Sequence, residues 1–256
     1  MYQSPLEGPR PAEPLMLIPG FMCDVRLWGP QVEALSAEMP LILPAWGRAE
    51  TVGEAAAAAL AAAPERFAVA GHGLGGCVAI EMLRQAGARI TRIALSATFC
   101  LAETPSVAAE RELRMARVKA GLLDAVVAED VPEDALAPGP LRAPLRDCLA
   151  EMARGLGEGT YLRQARAMQR RPDQQRTLRQ ARLPALVLGG AADTICRPQR
   201  LDFLAGLMPN AQLEIVAGAG HVPMLERPDA VTDALRAWLA RTPAPVLLNP
   251  SRAAAQ

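Results

Sequence analysis

Six short aliphatic runs recur along this chain, at 15–18, 41–43, 67–70, 92–95, 185–188 and 213–216, with helical patterns at 52–62, 75–85, 199–207 and 230–240 among them. Runs this short cannot make helices and read as buried strands. A strand covered on both faces is continuously rather than alternately apolar, which is the mark of parallel pairing. The alternation therefore points to an α/β fold: a mostly parallel, twisted sheet with helices on both faces.

One interval interrupts the rhythm. From 99 to 182 there is no strand pattern, only Ala-, Arg- and Leu-rich helical sequence broken by PEDALAPGPLRAP. Such a stretch between neighbouring strands predicts an inserted helical cap. The chain then divides into a core at 1–98 and 183–241, a cap at 99–182 and a loose tail at 242–256. Ligands of open α/β sheets bind beyond the carboxyl ends of the strands, so the cap is expected to roof an apolar pocket there. The opening MYQSPLEGPRPAEP reads as a disordered lead-in without a signal core, and EAAAAALAAA as an Ala-rich surface helix.

Composition narrows the partners. Lys plus Arg number 27 and Asp plus Glu number 27, so no global field recruits nucleic acid or an anionic membrane. No apolar run approaches the roughly 20 residues of a bilayer helix. Five scattered cysteines without metal-type spacing argue against a disulfide framework and for a reducing, cytoplasmic setting. A homodimer is compatible with all of this.

The segment FAVAGHGLGGCVAIEML carries the chemistry. A buried strand, a tight Gly-rich turn and a helix opening near Leu74 form the layout of a nucleophile elbow, G-x-S-x-G, with Gly71, Gly73 and Gly75 in its fixed positions. Gly73 stands where the serine belongs. Glycine adopts the strained turn freely, so the elbow survives while the hydroxyl is lost. Gly71, Gly73 and Gly76 also match a dinucleotide fingerprint, but the motif follows at least two strands and the next strand ends in Ser96-Ala97 rather than an acid.

Two later loops complete the pattern. ALVLGGAADTICRP places Asp193 just beyond a strand, and LEIVAGAGHVPMLERPDAV places His221 beyond the next. Acid then histidine after late strands is the chain order of a Ser…Asp…His triad, with Asp193 orienting His221 as general base. In LMLIPGFMCDVRLW the strand ends at Pro19-Gly20, which puts the backbone N–H of Phe21 in position to form an oxyanion hole with that of Leu74. His72 is expected beside the site rather than in it. Cys77 and Cys196 read as packing cysteines, Cys196 with more chance of lining the site. Two ligands are too few for zinc, so neither metal nor cofactor is expected.

On LIPGFMCDVRLWGPQ, AAAPERFAVAGHGLGG, YLRQARAMQRRPDQQ and AGAGHVPMLERPDAV, the chain resembles small bacterial α/β-hydrolases related to enol-lactonases, carboxylesterases and 2-succinyl-6-hydroxy-cyclohexadiene-carboxylate synthase. Members typically show G-H-S-M-G-G at the elbow, which aligns Gly73 with their nucleophile. They often carry His-Gly where this chain has Pro19-Gly20, and acids where it has Ala191 and Ala192. The resemblance implies a small ester, lactone, thioester or cyclic carbonyl compound as ligand. Gly73 then leaves three readings: a serine hydrolase silenced by replacement of its nucleophile, an Asp193–His221 dyad enzyme of lyase, isomerase or cofactor-free oxygenase type, or a silent small-ligand binder.

Overall fold

The computed structural model describes residues 13–242. Most of the expected lead-in and nearly all of the expected tail lie outside the described residues. The end of the lead-in is tied down, contrary to the disorder expected of it. Pro14 accepts the amide of Ala68 at 2.9 Å, and Glu13 pairs with Arg92.

Six strands form one sheet: β1 (Leu15–Ile18), β2 (Leu41–Ile42), β3 (Phe67–His72), β4 (Ile90–Ser96), β5 (Ala185–Gly190) and β6 (Ala211–Val216). Their order is β2-β1-β3-β4-β5-β6 and every pairing is parallel, so all carboxyl ends share one edge. β1, β3, β4 and β5 are buried throughout, as the largely apolar sequences of β1, β3 and β5 require, and β4 buries Thr91, Arg92 and Ser96 along with its aliphatic residues. β2 and β6 were expected to be buried as well, but they are edge strands with partly exposed residues. β2 is also cut to two residues, because Pro40 and Pro44 on either side cannot donate to a ladder.

Side chains leave each strand alternately to two cores. Met16, Ile18, Val69, Ile93 and Val187 pack with α2 (Val52–Ala62), α3 (Leu74–Ala86) and α8 (Pro198–Gly206). Leu15, Leu17, Ala68, Leu186 and Leu188 pack with α1 (Gly29–Leu35) and α10 (Pro228–Leu239), where Trp28 and Trp238 are fully buried. The Ala-rich α2 is not a surface helix on all sides. Ala55, Ala56, Ala59 and Leu60 are buried, their small side chains letting α2 lie close against α3.

Between β4 and β5 come α4 (Pro105–Lys119), α5 (Leu123–Asp130), α6 (Arg142–Gln169) and α7 (Gln175–Gln180). α6 breaks at Gly157, whose φ of 75° glycine alone adopts without strain. These helices hold a small core of their own, in which Val118, Val126, Tyr161 and Ala165 enclose Met22 from the loop after β1. A four-residue helix, α9 (Pro223–Glu226), precedes α10. No described helix is long and apolar enough to cross a membrane.

Candidate active site

The turn from β3 into α3 is held by backbone. Gly73 sits at φ 52°, ψ −115°, its amide donating to Ser96 O at 2.9 Å. Its carbonyl accepts the Gly76 and Cys77 amides at 3.1 and 3.3 Å and the Thr98 hydroxyl. A Cβ on Gly75 would run into the carbonyls of Ile18 and Pro19, so β1 and α3 approach this closely only with glycine there. Gly75→Ala is accordingly expected to cost about 3 kcal/mol or more, because backbone on both sides must shift. Urea denaturation checks it, and an unchanged midpoint would refute the tight approach. Gly73 differs: the nearest atoms to a Cβ there are Gly20 Cα at 3.9 Å and Ala97 O at 4.0 Å, which leaves room for a side chain.

Beyond β5, the Asp193 carboxylate is fully buried. Its Oδ1 accepts the amides of Ile195 and Cys196 at 2.8 and 2.9 Å, and its Oδ2 lies 2.9 Å from His221 Nδ1. Burial pushes the Asp193 pKa up. The hydrogen bond and charge of His221 and the two amides outweigh burial and hold the carboxyl below the usual range. An ionised Asp193 fixes the imidazole with Nδ1–H toward it, leaving Nε2 as the basic nitrogen.

The His221 loop has a support that sequence reasoning missed. Glu226 is buried in the core. One of its oxygens accepts the Gly220 and Ala137 amides at 2.9 and 2.7 Å, the other the Val222 amide at 3.0 Å. The His221 amide itself donates to Ala135 O at 2.7 Å. Both Ala135 and Ala137 belong to the segment between β4 and β5. A lone acid in the apolar run VPMLERP was the only signal.

His72 is closer to the site than expected. Its ring centroid is 5.0 Å from that of His221 in an edge-to-face arrangement, and its Nδ1 is 3.4 Å from Ser96 Oγ. Burial first, and then His221, push its pKa down to about 3 against the pull of Asp193. A histidine neutral when folded binds its proton only on unfolding. Its contribution is therefore complete above the unfolded value of about 6.5 and is lost as pH falls toward 3. We expect stability to fall between pH 6.5 and 4.5 by up to about 1.4 kcal/mol per pH unit, with a flatter profile in His72→Asn. Urea midpoints across that range measure it; matching slopes in the two proteins would contradict a neutral His72.

Phe21 follows the Gly20 turn after β1, and Leu74 follows Gly73. Neither amide has a backbone acceptor among the described residues. The loop carrying Phe21 is anchored from α6, where Gln164 Oε1 accepts the Met22 amide at 2.7 Å, while Tyr161 packs edge-on to Phe21 at 5.1 Å.

Gly73, His221, Phe21 and Leu74 all line one cavity of about 440 Å³, walled by α8 and by the helices between β4 and β5 together. Leu101, Val107 and Phe203 line it and are exposed, which places its mouth between α4 and α8. The expected apolar pocket is only partly apolar: Arg111, Arg114, Arg171, Arg200, Glu103 and Asp130 also line it. Nothing in the sequence signals that these charges, on helices and in the loops beside them, face inward. Cys196 turns to Thr98 O at 3.4 Å and Cys77 to Phe99 O at 3.3 Å, and neither lines the cavity. Cys23 and Cys100 do, but burial, reinforced by Asp24 and Asp173 respectively, raises them to about 12 and about 11, so they are thiols at neutral pH.

A family profile described as "Alpha/beta hydrolase family" matches residues 15–234. The pimeloyl-[acyl-carrier protein] methyl ester esterase of Xanthomonas axonopodis pv. citri is 33% identical over 131 residues, 51% of this chain and 51% of that one. The chain thus matches about half the length of this curated relative. A thermophilic esterase from Thermogutta terrifontis superposes with a TM-score of 0.81 at 24% identity, covering 90% of both chains. The enol-lactonase of Burkholderia xenovorans LB400 does so with a TM-score of 0.78 at 20% identity, covering 90% and 92%.

Proposed function

Because this chain belongs to the alpha/beta hydrolase family, we propose that it acts on a small ester, lactone or thioester through an Asp193–His221 dyad, with Gly73 in the nucleophile's place and the helices between β4 and β5 as a cap. The observation that carries this reading is the 2.9 Å Asp193–His221 contact in a cavity shared with Gly73, Phe21 and Leu74. With no side chain at residue 73, the base works on water. His221 Nε2 takes a proton from a water molecule as its oxygen adds to the substrate carbonyl. The resulting oxyanion accepts the Phe21 and Leu74 amides. Collapse breaks the bond to the leaving alcohol or thiol, and His221 returns its proton to that group.

The kinship with an esterase and an enol-lactonase supports this substrate class. His221→Ala is expected to abolish hydrolysis of short p-nitrophenyl esters and of lactones while the folded circular dichroism spectrum is kept. Unchanged turnover in that variant would sink the reading.

Gly73 itself favours a second reading, since proton abstraction beside a carbonyl needs a base and an enolate-binding site but no nucleophile. Exchange of substrate Cα hydrogens into heavy water, without hydrolysis, would select it.

A further inference from the structure

Four arginines line the cavity against two acids, Glu103 and Asp130. Both acids are already engaged. Arg111 forks onto Glu103 through Nε and Nη2 at 3.0 and 2.7 Å, and Arg171 adds a contact at 3.0 Å. Asp130 accepts Tyr161 Oη at 2.8 Å and faces Arg114 at 3.3 Å. Burial pushes Asp130 toward its neutral form, against the hydrogen bond from Tyr161 and the charges of Arg114 and Arg111. At least two positive charges therefore have no acidic counterpart in the wall.

Their placement is specific. The Arg111 guanidinium lies 5.9 Å from the Phe21 ring centroid, while Arg171 and Arg200 lie 5.7 and 5.6 Å from that of Phe99. Phe21 bears one amide of the proposed oxyanion hole, and Phe99 follows Thr98, whose hydroxyl caps the Gly73 carbonyl. The cationic wall thus begins one side chain away from the reacting carbonyl. A neutral ligand filling this end would strip water from guanidinium groups and return nothing, whereas a carboxylate replaces that water with charge-assisted hydrogen bonds.

We propose that the Arg111, Arg114, Arg171 and Arg200 end of the cavity is a carboxylate subsite, so that the preferred ligands are monoesters or monothioesters of dicarboxylic acids. The inference deepens the ester-processing reading and rests on it for the position of the reacting carbonyl; anion binding itself does not.

The test is calorimetric titration of the chain as it stands with monomethyl adipate and with its uncharged counterpart, dimethyl adipate. The monoester is expected to bind about tenfold tighter or more at low salt. The double variant Arg114→Gln/Arg200→Gln should erase that preference. It leaves the buried Arg111–Glu103–Arg171 cluster intact, and circular dichroism verifies that it folds. Equal affinity for the two esters, binding of neither, or a preference surviving in the double variant overturns the subsite. Turnover measured alongside separates the two ideas. Anion preference without hydrolysis or Cα exchange leaves the subsite standing and removes the chemistry; turnover without anion preference does the reverse.

Discussion

Gly73→Ser is expected to raise turnover of short p-nitrophenyl esters by about 10³-fold or more over the native chain. Loss of a triad serine typically costs several orders of magnitude and leaves only the oxyanion hole and binding. Here the other parts stand ready. Asp193 and His221 are paired, Phe21 and Leu74 border the same cavity, and the space at residue 73 admits a side chain. The same substitution should lower stability by about 1–2 kcal/mol, since serine must take the φ of 52° that glycine holds freely. Gain of rate with loss of stability is thus the expected pair of results. A destabilised but inert variant would mean that this cavity never served acyl transfer through residue 73, and would shift weight to Cα proton abstraction.

Glu226→Ala is expected to be strongly destabilising. It strands the amides of Ala137, Gly220 and Val222, a loss of about 3 kcal/mol or more. Glu226→Gln keeps the shape and an acceptor but turns an NH₂ group toward amide donors, so its loss should be smaller. The readout beyond stability is His221. The chain has two histidines, so ring-proton NMR resolves His72 and His221 individually. The His221 signals should shift in Glu226→Gln while those of His72 move little. Undisturbed His221 signals in a destabilised variant would reduce Glu226 to a structural role.

Much of this was legible in the sequence because the central strands are buried on both faces and say so in unbroken aliphatic letters, as in LMLI and ALVL. The elbow was legible because Gly71 and Gly75 lie where backbone meets backbone and a Cβ would collide. Asp193 and His221 could be placed because each follows the end of a strand. Edge status was hidden, since β2 and β6 become edges through the strand order. Glu226 and Gln164 were hidden for another reason. The bond from Ala137 to Glu226 spans 89 residues and that from Met22 to Gln164 spans 142, and no local pattern encodes such a contact. The arginines were hidden too, because only the packing of α4, the loop after α6 and α8 around one cavity turns Arg111, Arg114, Arg171 and Arg200 toward it.

The bond from the His221 amide to Ala135, and the grip of Glu226 on both Ala137 and Gly220, have a mechanical consequence. The segment between β4 and β5 is thereby joined at Ala135 and Ala137 to the His221 loop, so displacing it there would shift the imidazole as well. Among the described residues, no hydrogen bond ties Leu101, Val107 or Phe203 at the mouth to the His221 loop. If His221 is the base of the proposed reaction, a ligand entering by that mouth would pass without pulling on the bonds that hold the imidazole.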